Sequence, residues 1–109
     1  MSKMTLREVC KAIGVSRRAI QGYENAGLIS ETSRNERGYL LYDEKEQEKI
    51  KKIKLFQEMG FSIKEIKELQ NMYNTELKVE LENRVDSLQK ENERIKNMID
   101  IAQEMIEKL

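Results

Sequence analysis

Gly14-Val15-Ser16-Arg17-Arg18-Ala19-Ile20-Gln21-Gly22-Tyr23-Glu24-Asn25-Ala26-Gly27-Leu28-Ile29 is the stretch that decides how this chain folds. Glycines stand near its two ends, and each reads as a helix stop, because glycine enters the left-handed backbone region without steric penalty. Ser16 is a strong N-cap residue, so a helix is predicted from Arg17 to about Ala26. Upstream, Thr5-Leu6-Arg7-Glu8 has the form of a capping box, with the Thr5 hydroxyl accepting a free backbone N–H and Glu8 reaching back. Leu6, Val9, Cys10 and Ile13 then fall on one helical face. Two short helices joined by a turn of about three residues make a helix-turn-helix.

Moving outward, Leu28 and Ile29 leave the second helix in extended form. The polar run from Ser30 to Arg37, then Gly38 and Tyr39-Leu40-Leu41-Tyr42, predicts a short two-stranded wing with Arg34 and Arg37 at its tip. Asp43 with Glu46 caps a further helix to about Met59, whose apolar face is Ile50, Ile53 and Phe56, flanked by Leu55. Gly60 ends it, and Phe61 is expected to fold back and seal the end. Ser62-Ile63-Lys64-Glu65 is a second capping box. Ile63, Ile66, Leu69, Gln70 and Tyr73 are expected to continue the periodicity, and Asn74 and Thr75 to mark a boundary.

Beyond that boundary the apolar spacing becomes a heptad: Leu81, Val85, Leu88, Asn92, Ile95, Ile99, Ala102, Ile106 and Leu109 alternate steps of four and three. Such a run specifies a coiled coil. A helix from about Thr75 to Leu109 would be roughly 50 Å long at ~1.5 Å per residue, too long to bury its seam on so small a domain. It needs a partner, most simply a second copy. Asn92 falls at an a position among aliphatic neighbours, where a polar side chain fixes register or oligomer state. An antiparallel pair would set Asn92 against Ile95, Leu88 against Ile99, Val85 against Ala102 and Leu81 against Ile106. A parallel pair would stack Asn92 on its twin, and the heptads permit both.

Composition agrees with a helix-rich chain and weighs against an enzyme. The 109 residues include no Pro, Trp or His and only 5 Gly, and 37% are charged. Without His the usual neutral-pH general base and the commonest metal ligand are both missing. One cysteine, Cys10, makes neither an intrachain disulfide nor a metal cluster. Net charge is zero, but residues 1–40 carry seven basic side chains against four acidic, while residues 74–109 carry six against nine. This front of +3 and tail of −3 point the N-terminal half at a polyanion. The sequence holds no apolar run of ~20 residues and no signal peptide, so a cytoplasmic protein without membrane contact is expected.

The quoted stretch resembles the recognition helix of MerR-family transcription regulators, which show Gly-Val-Ser, an Arg two residues after the Ser, a Tyr-Glu pair and Gly-Leu-Ile. Gly38-Tyr39 and Tyr42 resemble the family's wing. Leu55-Phe56-Gln57-Glu58-Met59-Gly60-Phe61-Ser62-Ile63-Lys64-Glu65-Ile66 resembles its following helix pair. The resemblance covers residues 4–72 in family order. It implies a homodimer acting at promoters, many activators of the family bending and untwisting promoter DNA, and it favours the antiparallel coil. Two expected cations are absent: Gln21 and Gly22 stand where the family commonly has Arg and Tyr, and Leu40 where it has Arg. The family's effector domain or metal loop commonly follows the dimer helix. Its absence before Leu109 implies either a member without that domain or a longer chain from which it is missing.

The expectations are then concrete. The fold is mainly α, with a winged helix-turn-helix and short β-hairpin wing over residues 1–74 and a coiled-coil dimerisation helix over residues 75–109. Double-stranded DNA is the partner, and no metal, cofactor or catalysis is called for. Ser16, Arg17, Arg18 and Gln21 occupy the N-terminal half of a helix that would enter the major groove. Arg18 and Ser16 suit phosphate or guanine, and Gln21 suits an adenine edge. Tyr23 would both cap the core and offer its hydroxyl to phosphate. Arg34, Arg37 and Tyr39 would reach the flanking backbone or minor groove, and Lys64 would hold another phosphate near a helix start. A tethering or architectural protein, or an accessory factor for packaging or recombination, are the alternatives. A regulator should protect a few promoter sites, a tether many dispersed ones.

Overall fold

Thr5 closes one element and opens the next. In the computed structural model, which describes residues 3–109, it is the second residue of a strand, β1 (Met4–Thr5), and the N-cap of α1 (Leu6–Ile13). Its Oγ1 accepts the Glu8 N–H at 3.2 Å, and Glu8 Oε1 accepts the Thr5 N–H at 2.9 Å, so the predicted capping box is complete. The Thr5 backbone N–H, then its side chain, hold the Glu8 carboxyl below the ordinary carboxylate range. Gly14 ends α1 with φ +81°, and its N–H and that of Val15 both donate to the Cys10 carbonyl. Lys54 Nζ reaches the Ile13 carbonyl at 2.9 Å, placing a cation on the negative end of α1 where carbonyls lack partners.

After that turn come α2 (Arg17–Asn25), β2 (Ser33–Arg34), β3 (Leu40–Tyr42), α3 (Glu44–Glu58), α4 (Ile63–Gln70) and α5 (Asn74–Glu107). The strands form one antiparallel sheet in the order β1-β3-β2, with Met4 opposite Tyr42 and Arg34 opposite Leu40. The expected two-stranded wing is present as β2 and β3, and β1 adds a third strand to it. β1 occupies the free edge of β3, and two residues are too few to display the alternation that marks a strand in sequence.

The chain divides into two compact units, one running to Asn71 and the other Met72–Leu109. The core of the first is Val9, Ile20, Tyr23, Leu28, Ile29, Tyr42, Ile50, Ile53, Phe56, Phe61, Ile66 and Leu69, all buried. A fully buried Ile contributes about 1.5–3 kcal/mol, so this small set from every helix of the unit holds it together. Phe61 does fold back: its ring meets Phe56 edge-on at 5.9 Å, and the Phe61 N–H donates to the Phe56 carbonyl. Ser62 and Glu65 complete the second capping box. Two readings of the pattern are corrected here. Leu55 is exposed on the outer face of α3, and α4 stops at Gln70, leaving Gln70 and Tyr73 exposed. The apolar period runs on in the sequence, but the turn at Asn71 breaks the helix that would have used it.

In the second unit α5 is one unbroken helix of 34 residues without a single buried side chain. Lys90 pairs with Asp86 at 3.1 Å on its surface. All the heptad positions from Val85 to Leu109 are exposed on the single chain, and Leu81 is half-buried.

Candidate nucleic-acid interface

The start of α2 is built unlike any other helix start in this chain. Ser16 is the N-cap, with φ −82° and ψ 160°, and its Oγ accepts the Ala19 N–H at 3.0 Å. The hydroxyl proton stays available to donate, because a serine oxygen can accept and donate at once. α1, α3, α4 and α5 each carry an acidic residue in the first turn; α2 carries none and begins with Arg17 and Arg18. A helix start bears about half a positive charge, so cations there disfavour the folded chain unless an anion joins them. Among the described residues no ion pair engages Arg7, Arg17, Arg18, Arg34, Arg37 or Lys64.

Ile20 and Tyr23 face the core, which turns Arg17, Arg18, Gln21, Gly22 and Asn25 outward together. Spacings of three and four put Arg18, Gln21, Gly22 and Asn25 along one stripe of the exposed surface. The stripe therefore holds one long cationic donor, Arg18, and two amides, Gln21 and Asn25, that can both donate and accept, a set suited to phosphates and base edges.

Beside α2 stands the hairpin between β2 and β3. Asn35 organises its tip: the side-chain oxygen accepts the N–H groups of Arg37 and Tyr39, and the Asn35 carbonyl accepts that of Gly38. Arg34 folds over the tip and donates to the Gly38 carbonyl at 3.0 Å, leaving most of its five N–H donors unused. Arg37 and Tyr39 are exposed. A groove runs between this hairpin and the starts of α1 and α2, lined by Arg7, Arg17, Tyr39 and Leu40 among others. Arg17 and Tyr39 are thus brought together as expected of one surface. Arg7 joins them, and the sequence reading missed it because α1 was read only for its apolar stripe. Lys64 is exposed near the start of α4 and does not line this groove.

Tyr23 is corrected. It is only 2% exposed, and its hydroxyl donates to Gln57 Oε1 on α3 at 2.6 Å. A phosphate offers only acceptors, so a phenol whose single proton is already given to Gln57 has none to offer DNA. Burial pushes the Tyr23 hydroxyl pKa up. The next residue, Glu24, accepts the hydroxyl of Tyr42 on β3. Burial first, then the Glu24 hydrogen bond and charge, drive the Tyr42 pKa far above the usual tyrosine range. Glu46 at the start of α3 is buried and accepts the Ser30 N–H at 2.9 Å while pairing with Lys49 at 3.0 Å. The chain on both sides of Gly27 is therefore fastened to α3 or the sheet. The exposed stripe is held by hydrogen bonds on its far side.

No group of three His, Cys, Asp or Glu side chains among the described residues is disposed to hold a metal ion. Among the described residues no helix is long and apolar enough to cross a membrane.

Comparison with known proteins bears on this geometry. Residues 4–73 match the family described as MerR HTH family regulatory protein. The chain is 32% identical over 97 residues to the HTH-type transcriptional activator mta of Bacillus subtilis (strain 168), an alignment covering 89% of this chain and 38% of that protein. It is 37% identical over 67 residues to the mercuric resistance operon regulatory protein of Bacillus cereus, covering 62% of this chain and 51% of that one. The chain spans about half the length of these relatives or less. Among solved structures, a MerR-family transcriptional regulator from Bacillus cereus superposes with a TM-score of 0.77 at 26% identity, covering 98% of this chain and 82% of that chain.

Proposed function

This chain belongs to the MerR HTH family of regulatory proteins, and from that premise we propose that it is a homodimeric, sequence-specific reader of double-stranded DNA that regulates transcription. The observation that carries the reading is the start of α2: two exposed arginines on a positive helix end, with no acid in the first turn and no ion pair. Such a surface is stable as it stands only at some cost, and a phosphate backbone supplies the missing negative charge. The relatives it matches are named as an activator and an operon regulator, which agrees.

In this reading Ser16, Arg17 and Arg18 hold phosphate or guanine at the edge of the major groove, and Gln21 addresses an adenine. Arg34, Arg37 and Tyr39 reach the flanking backbone or minor groove from the wing, with Arg7 added beside them, and Lys64 holds a further phosphate. The heptad positions Leu81, Val85, Leu88, Asn92, Ile95, Ile99, Ala102, Ile106 and Leu109 form the seam between two copies, antiparallel about Asn92 and Ile95. Two reading helices then meet successive major grooves about one helical turn apart on a roughly palindromic site. The protein works in the cytoplasm, without catalysis of its own.

Footprinting on genomic fragments across a range of salt tests this. The expected result is protection of a few promoter-proximal sites, each with two-fold symmetry. Equal affinity for every duplex and for heparin would end the reading.

A further inference from the structure

Arg7 and Leu40 line the same groove from two different elements, Arg7 in the first turn of α1 and Leu40 at the start of β3. Arg17 reaches it from the start of α2. Two guanidinium groups from two helices thus converge, and among the described residues no ion pair engages either. Glu8 also lines the groove, but its carboxylate is turned to the Thr5 N–H, which it accepts at 2.9 Å. The hairpin wall consists of Gly38, Tyr39 and Leu40, with no cation among them. All the positive charge of the groove therefore comes from its helix wall. The fold gains nothing from that arrangement, because the first turn of a helix favours an acid over a base. Convergent cations without a counter-ion are instead what an anion lying along the groove requires.

We propose that Arg7 is a further DNA-binding residue, holding from α1 the backbone phosphate that passes beside the wing, and that Leu40 leaves this phosphate to it. Cations at positions 7 and 40 are then alternative holders of one phosphate, since both positions open on the same groove. The inference rests on the DNA-binding reading of this surface and adds which wall of the groove carries the charge. Contacts of this kind position the protein on the duplex and carry no sequence information.

The test is a double-mutant cycle in the full chain, on a duplex selected by the parent from a random-sequence library. Its readout is the slope of log affinity against log salt, which counts the phosphates neutralised. Arg7→Ala is expected to reduce that slope by about 1. Leu40→Arg in the parent should leave the slope nearly unchanged, because the phosphate is already neutralised. The double variant Arg7→Ala with Leu40→Arg should return to the parent slope. Leu40→Lys is run beside Leu40→Arg as a second cation, and thermal midpoints establish that each variant is folded at the assay temperature. A rise of about 1 from the added cation in both backgrounds would mean two separate phosphates and would overturn the proposal. So would double variants, with Arg or Lys at position 40, that stay at the Arg7→Ala slope. A parent-like slope for Arg7→Ala, beside a reduced one for Arg18→Ala, would also overturn it while leaving DNA binding intact. A parent that selects no duplex would instead remove the DNA-binding reading, and this proposal with it.

Discussion

Tyr42 Oη donates a hydrogen bond to Glu24 Oε1, tying the middle strand of the sheet to the helix that carries the exposed stripe. One residue earlier on the same helix, Tyr23 is tied to α3 through Gln57. Two consecutive residues of α2 are thus held by two different elements, which limits both rolling and sliding of the helix. The two bonds differ in what they leave behind when broken. Tyr42→Phe strands a half-buried carboxylate and should cost about 1–3 kcal/mol, whereas Tyr23→Phe frees an exposed amide that water can satisfy and should cost about 0.5–1.5 kcal/mol. Urea unfolding of each variant measures this. Tyr23→Phe should also keep DNA affinity within a factor of about two, because its proton is not offered to phosphate.

Alkaline pH acts on the same pair. Both hydroxyls have pKa values raised above the ordinary tyrosine value, Tyr42 by burial and by Glu24, Tyr23 by burial. A raised folded-state pKa means that the neutral form is favoured by folding. The associated stability is complete below about pH 10, where the unfolded tyrosine titrates, and is lost as pH rises beyond it. Stability measured from pH 8 to 11 should therefore fall steeply for the parent and less steeply for Tyr42→Phe. Identical slopes would mean that Tyr42 ionises as freely folded as unfolded.

Arg17 opens α2 where the other helices place acids. Arg17→Glu should stabilise the isolated protein by about 0.3–1 kcal/mol through the helix dipole. The same change should abolish measurable binding to duplex DNA at physiological salt. A variant both less stable and fully able to bind would contradict the account of this helix start.

Arg18 and Gln21 should part company in binding assays. Arg18→Ala is expected to weaken affinity on every duplex and to reduce the slope of log affinity against log salt by about 1, as for one lost phosphate contact. Gln21→Ala should leave that slope unchanged and alter preference at one base pair, by about 1–3 kcal/mol. Arg7→Ala, in the groove between α1 and the wing, should behave like Arg18→Ala.

For α5, replacing Ile95 and Ile99 by Asp should give monomers in sedimentation, since each charge would sit in an apolar seam. Orientation is separable by crosslinking in a Cys10→Ser background. Leu81→Cys combined with Ile106→Cys should form intermolecular disulfides readily, and Leu81→Cys alone should not. Ready crosslinking of Leu81→Cys alone would mean a parallel coil, since like positions then meet.

The sequence by itself determined the helices, the caps of α1, α2 and α4, and the stop of α1, though not the end of α4. Thr5 with Glu8, Ser16 with Ala19 and Ser62 with Glu65 are contacts over three residues, and Gly14 acts through its own φ; physics of that range is written within a few letters of the chain. The heptad of α5 is legible for the same reason, since a stripe needs only spacing. The tertiary structure alone decided which polar groups meet. Gln57 lies 34 residues from Tyr23, and Glu46 lies 16 from Ser30, so no local spacing announces either bond. Arg7 enters the candidate interface, and Met4–Thr5 become a strand, only because the docking of α1 against β3 brings them there. A side chain's partner depends on where whole elements come to rest, and that position is set by burial of the shared core rather than by the residues on either side.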